Sequence, residues 1–123
     1  MGDFEKETAP AVDLSRLEAV FGDEPNEFQE ILELYLTEMA RSLEELDQAI
    51  AAGDIGKVGL IAHNCAGTSA NCGMTAVIEP LHRLERLTRE ERLDGAAELA
   101  TEIKEGFERV KLFLKEQDLN LPG

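Results

Sequence analysis

Residues 54–73 read DIGKVGLIAHNCAGTSANCG, and this stretch decides the fold. On a helix that turns ~100° per residue, its larger apolar side chains form one stripe on the side opposite His63. The stripe consists of Val58, Ile61, Cys65 and Cys72. Asp54 is a typical N-cap residue, while Gly53 and Gly73 are typical of helix ends. The stretch therefore predicts one amphipathic helix with His63 on the face turned away from the core.

Further amphipathic segments precede and follow this helix in the sequence. Apolar residues recur every three or four positions over residues 24–52, 75–87 and 93–117, which is the spacing of a helix with one buried face. A shorter helix is predicted for residues 13–21, ended by Gly22. Because the connections between the long helices are short, we predict an all-α fold, an antiparallel four-helix bundle with a short additional N-terminal helix.

The chain length permits one compact domain. A protein of 123 residues can bury a single core without disulfides or metals. We divide it into an acidic N-terminal lead-in (residues 1–12), one domain (residues 13–118) and a C-terminal tail (residues 119–123).

Composition argues against several classes of function. The chain has 26 Asp and Glu residues against 12 Lys and Arg, a formal charge of −14, so nucleic-acid and anionic-lipid binding are disfavoured. Two cysteines are too few for a secreted disulfide framework. No apolar run approaches the ~18 residues of a membrane span, and the N-terminus does not resemble a signal peptide. We expect a reduced, cytoplasmic and monomeric protein without membrane insertion.

The residues around His63 are small. Those within ~60° of it on the helix, besides Leu60 at the border, are Gly56, Gly59, Ala66, Gly67 and Ala70. A glycine in the interior of a helix destabilises it by about 1 kcal/mol relative to alanine. The presence of three glycines on this face therefore requires an explanation. Close approach of a neighbouring helix is one explanation, but we expect it to bury His63. We predict instead that a large partner approaches the imidazole here, docking on Gly56, Gly59, Leu60 and Ala70.

His63 has no nucleophile beside it. Cys65, two residues on, projects ~200° away, and it shares the core face with Cys72, where a free cysteine acts as a small apolar residue. A solvated imidazole is largely neutral and nucleophilic near pH 7. The sequence therefore favours His63 as the nucleophile that forms a covalent adduct.

Residues 61–73, followed by Leu81, Leu84 and Glu85, resemble the signature of histidine-containing phosphotransfer (HPt) domains. The family pattern is Ala-His-x-Leu/Cys-Lys-Gly-Ser/Ala-Ser, a glycine at the helix end, and Leu-x-x-Leu-Glu on the next helix. The similarity extends over essentially the whole domain.

The resemblance implies that His63 accepts a phosphoryl group, through Nε2, from a receiver-domain phospho-aspartate or a sensor kinase. It then passes the group to another response-regulator receiver. The implied partners are receivers and an upstream hybrid sensor kinase. The family needs no cofactor on this chain, because the receiver supplies Mg²⁺. We expect a phosphocarrier rather than a turnover enzyme, with no metal site and no kinase domain of its own.

The resemblance also assigns roles to four positions near His63. Glu85 is expected to accept the Nδ1–H of His63, and Arg89 lies where some relatives have a basic residue near the site. Ala66 departs from the family, which usually has a lysine there to offset the phosphoryl charge. Gly67 matches the family glycine. For Arg89, as for Arg86 and Lys57, an ordinary solvated surface charge is the alternative interpretation.

Two other functions remain open at this point. A degenerate HPt-like adaptor would dock receivers without efficient phosphotransfer, and Ala66 motivates that hypothesis. A metal or redox protein would use His63, His82, Cys65 and Cys72.

Overall fold

The computed structural model describes residues 10–21 and 25–116, with the side chains of residues 20, 21 and 25–28 left aside. Residues 1–9 of the predicted lead-in and the predicted tail lie outside the described residues. The described part of the chain contains five helices and no strand: α1 (Leu14–Phe21), α2 (Pro25–Ala52), α3 (Ile55–Asn71), α4 (Thr75–Arg89) and α5 (Ala96–Glu116). The all-α prediction is confirmed.

The four long helices close a ring around one core. α2 packs against α3, α3 against α4, α4 against α5, and α5 returns to α2, while α1 contacts α2 and α3. The connections between the long helices are two, three and six residues long, so consecutive helices run antiparallel. Large, fully buried side chains come from every helix and from the connection before α4: Leu17, Leu32, Leu46, Val58, Met74, Leu81, Leu84, Ile103 and Leu114.

Glycines with positive φ follow the last residue of α2 and precede the first residue of α5. Gly53 has φ of +70° at the end of α2, and the Asp54 carboxylate then accepts the Lys57 N–H at 3.1 Å as the N-cap of α3. Gly95 has φ of +86°, which a helix does not tolerate. The last helix therefore begins at Ala96 rather than at residue 93 as the apolar spacing predicted.

The packed domain begins before residue 13. Ala11 and Val12, which we assigned to the lead-in, are buried. The Ala76 N–H donates to the Ala11 carbonyl at 3.1 Å, and the Thr75 hydroxyl donates to the Pro10 carbonyl at 2.8 Å. This short segment satisfies backbone and side-chain donors at the start of α4 without forming a helix, so hydrophobic periodicity did not reveal it.

The face of α3 that meets α2 is the one the sequence predicted. The four residues of the apolar stripe (Val58, Ile61, Cys65 and Cys72) are all buried. The buried Ser69 hydroxyl and the Tyr35 hydroxyl of α2 form a hydrogen bond of 2.8 Å. Burial raises the pKa of Tyr35, and the hydrogen bond to Ser69 opposes that effect only in part. This contact fixes the rotation of α3 about its own axis.

Two of the small residues predicted to lie on an open surface around His63 do not lie on one: Ala66 is buried, and Gly59 faces α4. Ala66 is only 3% exposed. A Cβ added to Gly59 would lie 2.8 Å from Thr88 Oγ1. The prediction was wrong here because α3 packs on α4 as well as on α2, so its buried arc is wider than its apolar stripe. His63 itself escapes burial because it lies at the edge of that arc.

Stability measurements on two glycine variants test this difference. A Cβ added to Gly67 has nothing within 4 Å, so Gly67→Ala should raise the free energy of unfolding by up to about 1 kcal/mol through helix propensity alone. Gly59→Ala should lower it by about 1–2 kcal/mol, because the new methyl group overlaps Thr88. Urea unfolding of both variants measures the two effects. If Gly59→Ala is as stable as Gly67→Ala, the close approach of α4 does not explain the glycine.

Candidate functional site

His63 projects from the middle of α3 into solvent, with its side chain 69% exposed. The helix that holds it is anchored on both sides, by α2 and by α4. The imidazole is therefore an exposed group on a helix whose position relative to α4 is set by packing.

Glu85 of α4 holds one ring nitrogen of His63. The distance from His63 Nδ1 to Glu85 Oε2 is 2.9 Å, and the Glu85 side chain is only 13% exposed. This is the contact that the sequence led us to expect. Arg89, one turn further along α4, donates from Nη2 to the same Oε2 at 2.7 Å. Glu85 Oε2 is therefore hydrogen-bonded to both the Arg89 guanidinium and the His63 imidazole.

The surroundings of Glu85 favour its ionised form. The hydrogen bond from His63 lowers the pKa of the Glu85 carboxyl, and the positive charges of protonated His63 and of Arg89 act in the same direction against the effect of partial burial. An ionised carboxylate accepts hydrogen bonds and cannot donate them. In neutral His63 the proton therefore lies on Nδ1, which leaves the Nε2 lone pair free.

The surface on the other side of His63 is open. Gly56, Gly67 and Ala70 are exposed, and no atom lies within 4 Å of a Cβ built on Gly67. Leu60 is 60% exposed. A partner can thus bring its own atoms to the imidazole without displacing side chains of this chain.

Thr88 lies at the contact between the two helices that carry His63 and Glu85. The sequence analysis did not predict a role for it. Its hydroxyl donates to the Glu85 carbonyl at 2.7 Å, and its side chain faces Gly59 across the helix contact. Its position three residues after Glu85 and near the end of α4 was the only sequence signal for it.

The other basic groups near the site do not contact His63. His82 and Arg86 are exposed on α4, and neither makes a side-chain hydrogen bond or ion pair within residues 10–21 and 25–116. Lys57 donates only its backbone N–H, to Asp54, among the residues that the structure describes. Of the basic residues considered from sequence, Arg89 is thus the one that the fold brings to the His63–Glu85 pair.

The structure separates the residues that a metal or redox site would need. Cys65 and Cys72 are buried free thiols, and burial raises the pKa of both. His63 points into solvent from another side of the same helix. Within the described residues, no three His, Cys, Asp or Glu side chains cluster closely enough to hold a metal ion.

None of the helices in the described part of the chain is both long and apolar enough to cross a membrane. That finding agrees with the distribution of charge along the chain, since α2 alone contains seven Asp or Glu residues.

Comparisons with known proteins identify the fold and the family. The histidine-containing phosphotransfer protein B (HptB) from Pseudomonas aeruginosa PAO1 has a crystal structure similar to this one, with a TM-score of 0.82 and 24% sequence identity. The match covers 89% of this chain and 96% of that chain. Among curated protein sequences, none matches. The model of the Hpt domain family matches residues 30–112, which include His63, Glu85 and Arg89. This chain belongs to the Hpt domain family and has a histidine phosphotransfer role in phosphorelays.

Proposed function

We propose that His63 is the residue that accepts and donates the phosphoryl group in this phosphorelay protein. It takes the group from a receiver-domain phospho-aspartate or a sensor kinase and passes it to another response-regulator receiver. The observation that supports this role most directly is the exposed imidazole whose Nδ1 faces the Glu85 carboxylate at 2.9 Å. Such an arrangement leaves Nε2 as the nucleophile.

The transfer needs little from this chain beyond a positioned nucleophile. The Nε2 lone pair forms a bond to phosphorus, the bond from phosphorus to the aspartyl oxygen breaks, and the aspartate leaves as a carboxylate. The phosphorylated ring keeps its proton on Nδ1 and becomes positively charged. The negative charge of Glu85, already 2.9 Å from Nδ1, stabilises that developing charge, and the return of the phosphoryl group reverses the step.

Arg89 offsets the charge of the phosphoryl group in place of the usual family lysine, whose position is taken by Ala66. Its guanidinium lies 2.7 Å from Glu85 Oε2, the atom that also contacts the imidazole, and its side chain is 68% exposed. An exposed arginine can change rotamer at low cost and meet a new anion beside it. Mg²⁺ and further cations come from the partner receiver rather than from this chain.

The partners fit the open surface next to His63. A receiver can reach Nε2 over Gly67 and Ala70, with Gly56 and Leu60 at the edge of the contact. We infer that the protein acts as a monomer in the cytoplasm, downstream of a hybrid sensor kinase.

Phosphotransfer assays with the His63→Gln variant test the central assignment. Incubation with phosphorylated receivers of the host should transfer label to the wild type, and the label should be acid-labile and alkali-stable. His63→Gln should remain folded, since the side chain is exposed, and should take up no label. Label that persists in this variant would contradict the assignment of His63. Receiver binding without any label in the wild type would favour the adaptor that Ala66 suggests.

The equilibrium of phosphotransfer with a receiver tests the role of Arg89. Arg89→Ala should shift the equilibrium toward the phosphorylated receiver by about two- to fivefold, the typical value of one exposed charge contact. Arg86→Ala is the matched control, because Arg86 is an exposed arginine of the same helix without an ion pair in the described residues. Ala66→Lys in the Arg89→Ala background should restore the lost stabilisation, since a lysine can extend its ammonium group from a buried position. Equal shifts for Arg89→Ala and Arg86→Ala would show that Arg89 has no specific role.

A further inference from the structure

The contact between Gly59 and Thr88 lies one helical turn from the His63–Glu85 hydrogen bond on both helices. Gly59 precedes His63 by four residues on α3, and Thr88 follows Glu85 by three residues on α4. Because the two helices run antiparallel, both residues lie on the same side of that bond, about 5 Å from it along the helix axes. A change in the helix separation at this contact therefore changes the separation at the bond as well.

The Thr88 side chain occupies the space that a side chain at position 59 would need. A Cβ built on Gly59 would lie 2.8 Å from Thr88 Oγ1 and 3.3 Å from Thr88 Cβ, and both distances are shorter than an ordinary van der Waals contact. The distance between two packed helices depends on the side chains at their contact. Glycine opposite threonine thus allows a separation that a larger pair of residues would not allow.

A hydrogen bond fixes the conformation of Thr88. Its Oγ1 donates to the Glu85 carbonyl in the preceding turn of α4 at 2.7 Å. Threonine in a helix has two common χ1 rotamers, and a bond to the preceding turn selects between them. The Thr88 atom nearest to a Cβ at position 59 is this oxygen, which is smaller than a methyl group. The half-buried threonine is therefore a spacer of defined shape between the two helices.

The hydrogen bond between His63 and Glu85 tolerates little widening of this separation. N–H···O bonds have heavy-atom distances of about 2.7–3.2 Å, and the distance from Nδ1 to Oε2 is 2.9 Å. Arg89 donates to the same oxygen from the same helix as Glu85, so moving α4 away from α3 lengthens the imidazole contact and leaves the guanidinium contact unchanged. A solvated His63 ring without the carboxylate can carry its proton on either nitrogen.

We propose that Gly59 and Thr88 are positioning residues for the reaction of His63. Their contact keeps α3 and α4 close enough for the Glu85 carboxylate to hold the ring proton on Nδ1, which leaves Nε2 as the nucleophile. A larger pair of residues moves Glu85 away, so fewer neutral rings have a free Nε2 and phosphorylation at that atom is slower. This inference rests on the proposed function and adds the packing contact that sets the reactivity of the nucleophile.

Variants that widen and then restore the contact test the proposal. Gly59→Ala adds a methyl group against Thr88, and the double variant Gly59→Ala/Thr88→Ala removes the hydroxyl that this methyl group meets. Long-range ¹H–¹⁵N spectra of the unphosphorylated proteins give the tautomer of neutral His63. Phosphoramidate gives the rate of labelling at Nε2 without any partner: the Nε2 lone pair forms a bond to phosphorus, the P–N bond breaks, and ammonia leaves.

The expected effects are changes in tautomer and in labelling rate. Gly59→Ala should move part of the neutral His63 population to the form with the proton on Nε2, and it should slow labelling at Nε2 by about twofold to tenfold, as the loss of one hydrogen bond would. The double variant should return to within about twofold of the wild-type rate. Gly59→Ala combined with Glu85→Ala should be labelled no more slowly than Glu85→Ala alone, because the contact acts through Glu85.

Substitutions of Thr88 test the same contact from α4 and do not depend on the folding of Gly59→Ala. Thr88→Val replaces the hydroxyl with a methyl group and should change the tautomer and the rate in the same direction, whereas Thr88→Ser keeps the oxygen and should match the wild type. The matched control is Thr101→Val, which should be labelled at the wild-type rate. Thr101 is an exposed residue of α5 whose hydroxyl likewise donates to a carbonyl in the preceding turn, at 3.2 Å.

Urea unfolding of each variant separates positioning from stability. If Gly59→Ala and Thr88→Val lower the free energy of unfolding but keep the wild-type tautomer or labelling rate, the contact is only structural and the proposal is overturned. A further loss of rate on adding Gly59→Ala to Glu85→Ala would also overturn it, because the effect would not pass through the carboxylate. Failure of the wild type to be labelled by phosphoramidate or by any receiver would overturn the proposed function, and this inference with it.

Discussion

The hydrogen bond between His63 Nδ1 and Glu85 Oε2 is the contact on which the account of the site depends. It joins α3 to α4 at 2.9 Å, and it is possible because the two helices approach closely at Gly59 and Thr88. The bundle brings a carboxylate with a lowered pKa to one nitrogen of an otherwise solvated imidazole. The packing of two helices thereby selects which nitrogen is free to react.

Few other groups of the described residues lie near the His63 imidazole. In the described part of the chain, the site consists of one imidazole, one carboxylate and one exposed arginine beside an open surface over Gly67. We therefore propose that, in transfer between His63 and a receiver, the charge of the phosphoryl group is met largely by the partner. Recognition of that partner is therefore as important to the proposed function as the geometry of His63.

Sequence reasoning predicted the parts that depend on one helix and missed those that depend on two. The apolar stripe on α3 and the exposure of His63 followed from a spacing of 3.6 residues per turn. The burial of Ala66 and the contact of Gly59 with Thr88 did not, because small residues give the same pattern on a bare surface as at a close helix contact. The Glu85 contact came from family resemblance, since no local pattern relates residues 22 positions apart.

The central claim is that the Glu85 contact leaves Nε2 of His63 as the reacting atom, and ¹⁵N NMR of the histidine ring tests it most directly. Long-range ¹H–¹⁵N spectra of the unphosphorylated protein at neutral to alkaline pH should show the proton of neutral His63 on Nδ1. After labelling with phosphoramidate, coupling to phosphorus should appear at Nε2. A proton on Nε2 in the unphosphorylated protein, or a phosphoryl group on Nδ1 after labelling, would contradict the account.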